Sequence, residues 1–169
     1  RATPNDTKED GVTEEVSTTV ENTVPVVDSV SLAPSVVYTN DTIVATAVLS
    51  DADASQTASA SYEWHVIDVD SGADTAVQSG SYNTLDGATH FDRDDEVYVI
   101  VTPNDGADDG VPVTSSSITV SNTEPKGITI SSSPDPATVG QDDLVCTVVT
   151  PASDEDGDTV LYTYVWTDG

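Results

Sequence analysis

Apolar residues recur at every second position in several short runs, and each run is closed off by Gly, Pro, Asn, Asp or Ser. In an extended chain that period sends successive side chains to opposite faces, so it predicts half-buried β-strands. The runs place strands near 26–32, at 42–50, at 60–68, near 74–80, near 84–91, at 95–102 and at 112–120. Ile43, Ala45, Ala47 and Leu49 share one face, as do Tyr62, Trp64 and Val66, and again Val97, Val99 and Val101. No stretch has a helical period. Prolines fall where a sheet tolerates them, with Pro25 and Pro125 between blocks of strands and Pro103 and Pro112 around the turn that joins the last two strands.

The pattern repeats at about 100 residues, the scale of one sandwich domain. Residues 2–23 match 101–123, with Pro4-Asn-Asp6 against Pro103-Asn-Asp105 and Asn22-Thr23 against Asn122-Thr123. Ala45-Thr-Ala-Val48 corresponds to Cys146-Thr-Val-Val149, Asp51-Ala-Asp53 to Asp154-Glu-Asp156, and Tyr62-Glu-Trp64 to Tyr164-Val-Trp166. The expected organisation is therefore the last strand and preceding turn of one repeat at 1–22, a complete repeat at 23–122, and the first three strands of another at 123–169. Seven short strands per repeat, with a Trp on the third, predict an all-β chain of immunoglobulin-like sandwiches in tandem. Either the chain is a stretch of a longer protein, or neighbouring chains complete its end repeats by donating strands.

Composition narrows the function. Asp and Glu number 31 against four Lys and Arg, for a formal charge of −27. Nucleic acid is excluded as a partner, because a phosphate backbone needs clustered Lys and Arg and no two basic residues here are sequence neighbours. An anionic membrane is repelled, and no apolar run reaches the length of a transmembrane helix. Such charge strains a compact state unless the medium is rich in salt or divalent cations, which fits an extracellular or cell-surface setting. Disorder is the other reading of high charge, but the ordered apolar alternation argues against it. With Cys146 the one cysteine, no disulfide forms within the chain.

The loop Ala152-Ser-Asp-Glu-Asp-Gly-Asp158, followed by Tyr162-Thr-Tyr-Val-Trp166, resembles the second and third strands of PKD-type repeats in bacterial and archaeal surface proteins. Phe91-Asp-Arg-Asp94 resembles the acidic motif that cadherin repeats carry before the same strand, where it ligates calcium, and Val101-Thr-Pro-Asn-Asp-Gly106 resembles a turn common in long tandem adhesins. The resemblance implies an immunoglobulin-fold repeat with calcium near its joints. The linker departs from the cadherin pattern, since it holds only Asn122-Thr-Glu-Pro125.

Asp154, Asp156 and Asp158 stand at alternate positions with Gly157 between them, a spacing by which a loop wraps a hard cation in oxygen ligands. A solvated turn rich in Asp is the alternative, because Asp favours turns. Asp51 and Asp53 form a weaker counterpart one repeat earlier, with Asp105, Asp108 and Asp109 at the same end of the sandwich. In an immunoglobulin-like arrangement Asp68, Asp70, Asp92, Asp94, Asp95 and Glu96 face the 154–158 loop across Asn122 and Glu124. Unit charges about 4 Å apart repel by about 1 kcal/mol in water and about 4 kcal/mol at an effective dielectric near 20. A bridging cation, calcium, is therefore expected at this joint, with Asp154, Asp156, Asp158, Asp92, Asp94, Asp95, Glu96, Asn122 and Glu124 as its candidate ligands.

Catalysis finds no footing. His65 falls on the outward face of its strand with no nucleophile in a recognisable setting, and His90 has none either. Lys8 and Lys126 lie in a loop and a linker, so no buried lysine is placed for an isopeptide cross-link. The expected role is structural or adhesive: a stalk or filament of stacked repeats whose partners are neighbouring repeats of the same chain or other copies in a filament. The alternative is an adhesin module that grips a glycan or a protein, against which the Tyr and Trp residues fall mostly on inward faces.

Overall fold

The computed structural model describes residues 1–53 and 55–167. Its ordered centre comprises β1 (Val26–Ala33), β2 (Val37–Tyr38), β3 (Thr42–Ser50), β4 (Ser59–Ile67), β5 (Asp74–Gly80), β6 (Thr84–Asp86), the single-turn helix α1 (Gly87–His90), β7 (Glu96–Asn104), β8 (Val113–Thr114) and β9 (Ile118–Ser121). Two further strands, β10 (Thr129–Ser133) and β11 (Val145–Thr150), follow the linker.

The central strands form two sheets. One has the order β1-β3-β6, and the other β2-β9-β7-β4-β5 with β8 on the side of β7. All pairings are antiparallel except β2 with β9, which places Val37 beside Val120 in parallel. Ile43, Ala45 and Leu85 from the first sheet close on Trp64, Val97, Val99, Val101, Val37 and Val120 from the second, so the sheets share one core. Every second residue of β3, β4 and β7 turns inward, as the alternation requires. Trp64 is fully buried and donates its indole N–H to the Tyr82 carbonyl at 3.1 Å, which satisfies the polar edge of an otherwise apolar ring. Burying each Val, Ile or Leu of this core contributes about 1.5–3 kcal/mol.

The structure departs from the sequence reading in three places. The strand expected near 84–91 ends at Asp86, whose carboxylate accepts the Ala88 N–H and caps α1. That single turn swings Phe91 into the core. The strand expected at 112–120 is split in two, and the Ser115 side chain accepts the Val99 N–H where the ladder is interrupted. Residues 159–167 carry no strand, although Tyr162, Tyr164 and Trp166 alternate as Tyr62 and Trp64 do. In the central sandwich β4 lies hydrogen-bonded between β7 and β5, and residues 159–167 have no such neighbours to satisfy their backbone. For the same reason Cys146 is only partly covered, although it aligns with the fully buried Ala45.

The turn over 4–11 is built like the one over 103–110. Gly11 donates to the Pro4 carbonyl at 2.7 Å and Gly110 to that of Pro103 at 2.8 Å. Asn5 Oδ1 accepts the N–H two residues on, as Asn104 Oδ1 does, and Asp6 and Asp105 each tie two successive N–H groups. These are Asx turns, which the Pro-Asn-Asp tripeptide encodes locally.

Candidate metal centre at the joint after residue 122

The loop between β11 and residue 159 folds on its own aspartates. Asp154 Oδ1 accepts the N–H of Asp156 at 3.0 Å and, more weakly, that of Asp158 at 3.4 Å. Gly157 turns the chain with φ 76°, a value open to glycine at little cost. The result brings carboxylate oxygens of Asp154, Asp156 and Asp158 within 4.8 Å of one another, and among the described residues no other group of three or more His, Cys, Asp or Glu gathers so closely. Oxygens on opposite sides of a calcium ion lie about 5 Å apart, so this group can hold a metal ion.

The loop is docked on the complete sandwich. Asp156 Oδ2 accepts the Thr123 N–H at 2.6 Å, Lys126 and Ser153 exchange backbone hydrogen bonds at 2.8 Å, and Arg93 bonds to Asp158 Oδ2 and to Asn122 Oδ1. Burial opposes ionisation of Asp156. The Thr39 hydroxyl, the N–H and hydroxyl of Thr123 and the charge of Arg93 outweigh it and hold the carboxyl below its ordinary value. Thr39 and Thr123 are only 4% and 5% exposed. Their hydroxyls face Asp156 closely enough to favour its charged form, but neither they nor Asp156 Oδ1 reaches full hydrogen-bond geometry. Three buried oxygens with incomplete partners at one point are costly, and they are of the type that ligates a hard cation.

The remaining expected ligands lie outside that group, and several have partners of their own. Asp95 is buried and accepts the N–H of Val69 at 3.1 Å and of Asp92 at 2.9 Å, which ties the loop after β4 to the turn before β7. Asp94 pairs with Arg93 at 3.2 Å, and Glu96 accepts the Ser117 hydroxyl. Asn122 bonds to Arg93 and to the Thr123 carbonyl, while Glu124 lines a cleft with Thr39, Asp41, Thr123 and Glu155. Asp92, Asp94, Asp95 and Glu96 therefore do not join the 154–158 group. What reaches it from their turn is Arg93, which the sequence marked only by its isolation, since no other Lys or Arg lies between residues 9 and 125.

The joint before residue 24 has related geometry. Thr23 donates its N–H to Asp53 Oδ2 at 2.7 Å, and Asp53 donates its own to Asp51 Oδ1 at 2.7 Å. Asn22 fills the acidic end here. Its amide donates to Asp105 at 2.9 Å and Asp108 at 3.1 Å and accepts from Gln56 at 2.8 Å. Asp105, held by the Asp108 N–H, the Asn22 amide and the Ala107 N–H, lies below its ordinary value.

The chain matches no family model, no curated protein and no solved structure. No helix among the described residues is long and apolar enough to cross a membrane.

Proposed function

We propose that this chain is part of an extracellular array of immunoglobulin-like repeats that serves as a stalk or adhesive filament, without catalysis, and that calcium at the joints sets the angle between repeats. The repetition of the joint carries the reading. At both joints the threonine after an asparagine donates its N–H to the second aspartate of a loop, Thr23 to Asp53 and Thr123 to Asp156, and that aspartate leans on another two residues before it. A contact that recurs at the repeat length is what a stack of units touching mainly their neighbours needs. The sheet orders β1-β3-β6 and β2-β9-β7-β4-β5 support the immunoglobulin-like assignment. The three carboxylates and the buried, unpartnered oxygens of Asp156, Thr39 and Thr123 support a cation with oxygen ligands.

Small-angle scattering and thermal melting with calcium and then with chelator test the proposal. The expected result is a longer maximum dimension and a higher melting temperature with calcium. Identical curves in both would leave the joint to its hydrogen bonds and the Arg93 ion pair alone.

A further inference from the structure

The joint already contains a cation. The guanidinium of Arg93 bonds to Asp158 Oδ2, Asn122 Oδ1 and Asp94 Oδ2, and its side chain is about two-thirds covered, at 34% exposed. Asp158 is also one of the three carboxylates whose oxygens converge on a possible metal position. A guanidinium and a divalent ion held on the same carboxylate bring two positive charges close together, and these repel. The remaining positive side chain at this joint, Lys126, is turned to Glu155 at 3.5 Å and is well exposed.

We propose that Arg93 and a divalent cation are alternative occupants of the Asp158 carboxylate, so that cation binding releases Arg93 and exchanges an arginine latch for a metal one. The inference rests on the calcium reading of the same loop and adds its regulation. Two observations at the same loop motivate it. Arg93 satisfies Asp158 Oδ2. Beside it, Thr39 Oγ1, Thr123 Oγ1 and Asp156 Oδ1 are buried without full hydrogen-bond geometry, no bond from the guanidinium reaches them, and they are oxygens of the type that ligates a hard cation. With the latch closed, the Arg93–Asp158 ion pair adds to the Thr123 bond, the Lys126–Ser153 backbone pair and the Lys126–Glu155 contact in holding the joint. With the cation bound, the loop and the linker share a common ligand set and Arg93 is free to pair with Asp94 alone.

The test is calorimetric titration of calcium chloride into the full chain, its R93Q variant and its K8Q variant, with the Arg93 Nε–H resonance followed by NMR in the unsubstituted protein. Loss of the competing charge should tighten calcium binding roughly tenfold in R93Q. Lys8 lies in the 4–11 turn, so K8Q should leave the affinity unchanged. The Arg93 resonance should move in step with the heat of binding. Equal or weaker affinity in R93Q overturns the exchange while leaving calcium binding in place. An equal gain in K8Q reduces the effect to net charge and also overturns it. No binding by any of the three proteins removes the cation from the joint and overturns both readings together.

Discussion

Asp156 accepts the Thr123 backbone N–H at 2.6 Å, and through that bond the 154–158 loop is tied to the linker that leaves the central sandwich. A carboxylate acceptor makes this bond charge-assisted and stronger than an ordinary amide bond. In D156A the Thr123 amide should lose its partner and exchange its proton at least tenfold faster, while amides of β4 and β7 keep their protection. Hydrogen exchange read by NMR separates these outcomes; unchanged exchange at Thr123 would mean that the bond contributes nothing to the joint.

Trp64 anchors the core from the second sheet. Replacing it with Ala removes the largest fully buried side chain and leaves the Tyr82 carbonyl without its donor. W64A should lose about 3–5 kcal/mol in denaturant unfolding. A loss below about 1 kcal/mol would show that the two sheets close without it.

Gly110 occupies a place where no side chain fits. A Cβ there would lie 1.9 Å from the Pro25 carbonyl oxygen and 2.8 Å from Pro103 Cγ, and neither backbone nor ring can yield easily. G110A should cost about 1–3 kcal/mol by overpacking. At Gly106, with φ 94° and open space around it, alanine meets backbone strain but no clash. Urea midpoints should therefore fall more in G110A than in G106A, and the opposite order would contradict the close approach.

His65 lies on the outer face of β4, as the alternation predicted, but in a polar nest rather than free in solvent. Its ring stacks on Tyr98 at 4.8 Å, with Nδ1 at 2.9 Å from Asp74 and Nε2 at 3.0 Å from Glu63. Burial alone would lower its pKa; the hydrogen bonds and charges of Glu63 and Asp74 prevail and raise it above the ordinary 6.5. The Tyr98 hydroxyl, which donates to Asp74 at 2.6 Å, is pushed up to about 12. A raised histidine contributes stability in full below its unfolded value of about 6.5, and that contribution is lost as pH rises through the folded value. Urea midpoints should fall as pH rises above about 6.5, and H65Q should flatten that slope. The same slope in H65Q would assign it to another group.

Much of the fold was legible because it depends on a local rule. The inward rows of β3, β4 and β7 follow from Ile43 to Leu49, Tyr62 to Val66 and Val97 to Val101, each set by period two alone. The helical turn α1 was not legible, since four residues are too few to show a period and its cap is a single Asp86 bond. The 154–158 cluster could be found because its geometry is made within five residues. The Asp92–Glu96 contribution was misplaced because the direction of a side chain in a turn depends on φ and on backbone partners. Asp94 takes φ 69°, Asp95 turns inward to Val69, and Arg93 is the side chain left pointing across the joint. Thr39 and Thr123 gave no signal, because nothing in an ordinary threonine announces that its hydroxyl will be buried beside a distant carboxylate.

The parallel pairing of β2 with β9 bears on force. Val37 and Tyr38 enter the sandwich soon after its first strand, and Val120 and Ser121 leave it just before the linker. If tension is drawn through residues 24 and 123, the β1–β3 ladder takes it first, and beyond β1 it pulls β2 and β9 in opposite senses along their own axes. Their hydrogen bonds are then loaded together in shear rather than peeled open one at a time. The two-strand contact at Val37 and Val120 thus gives the sandwich a short clamp, loaded in shear, behind the β1–β3 ladder.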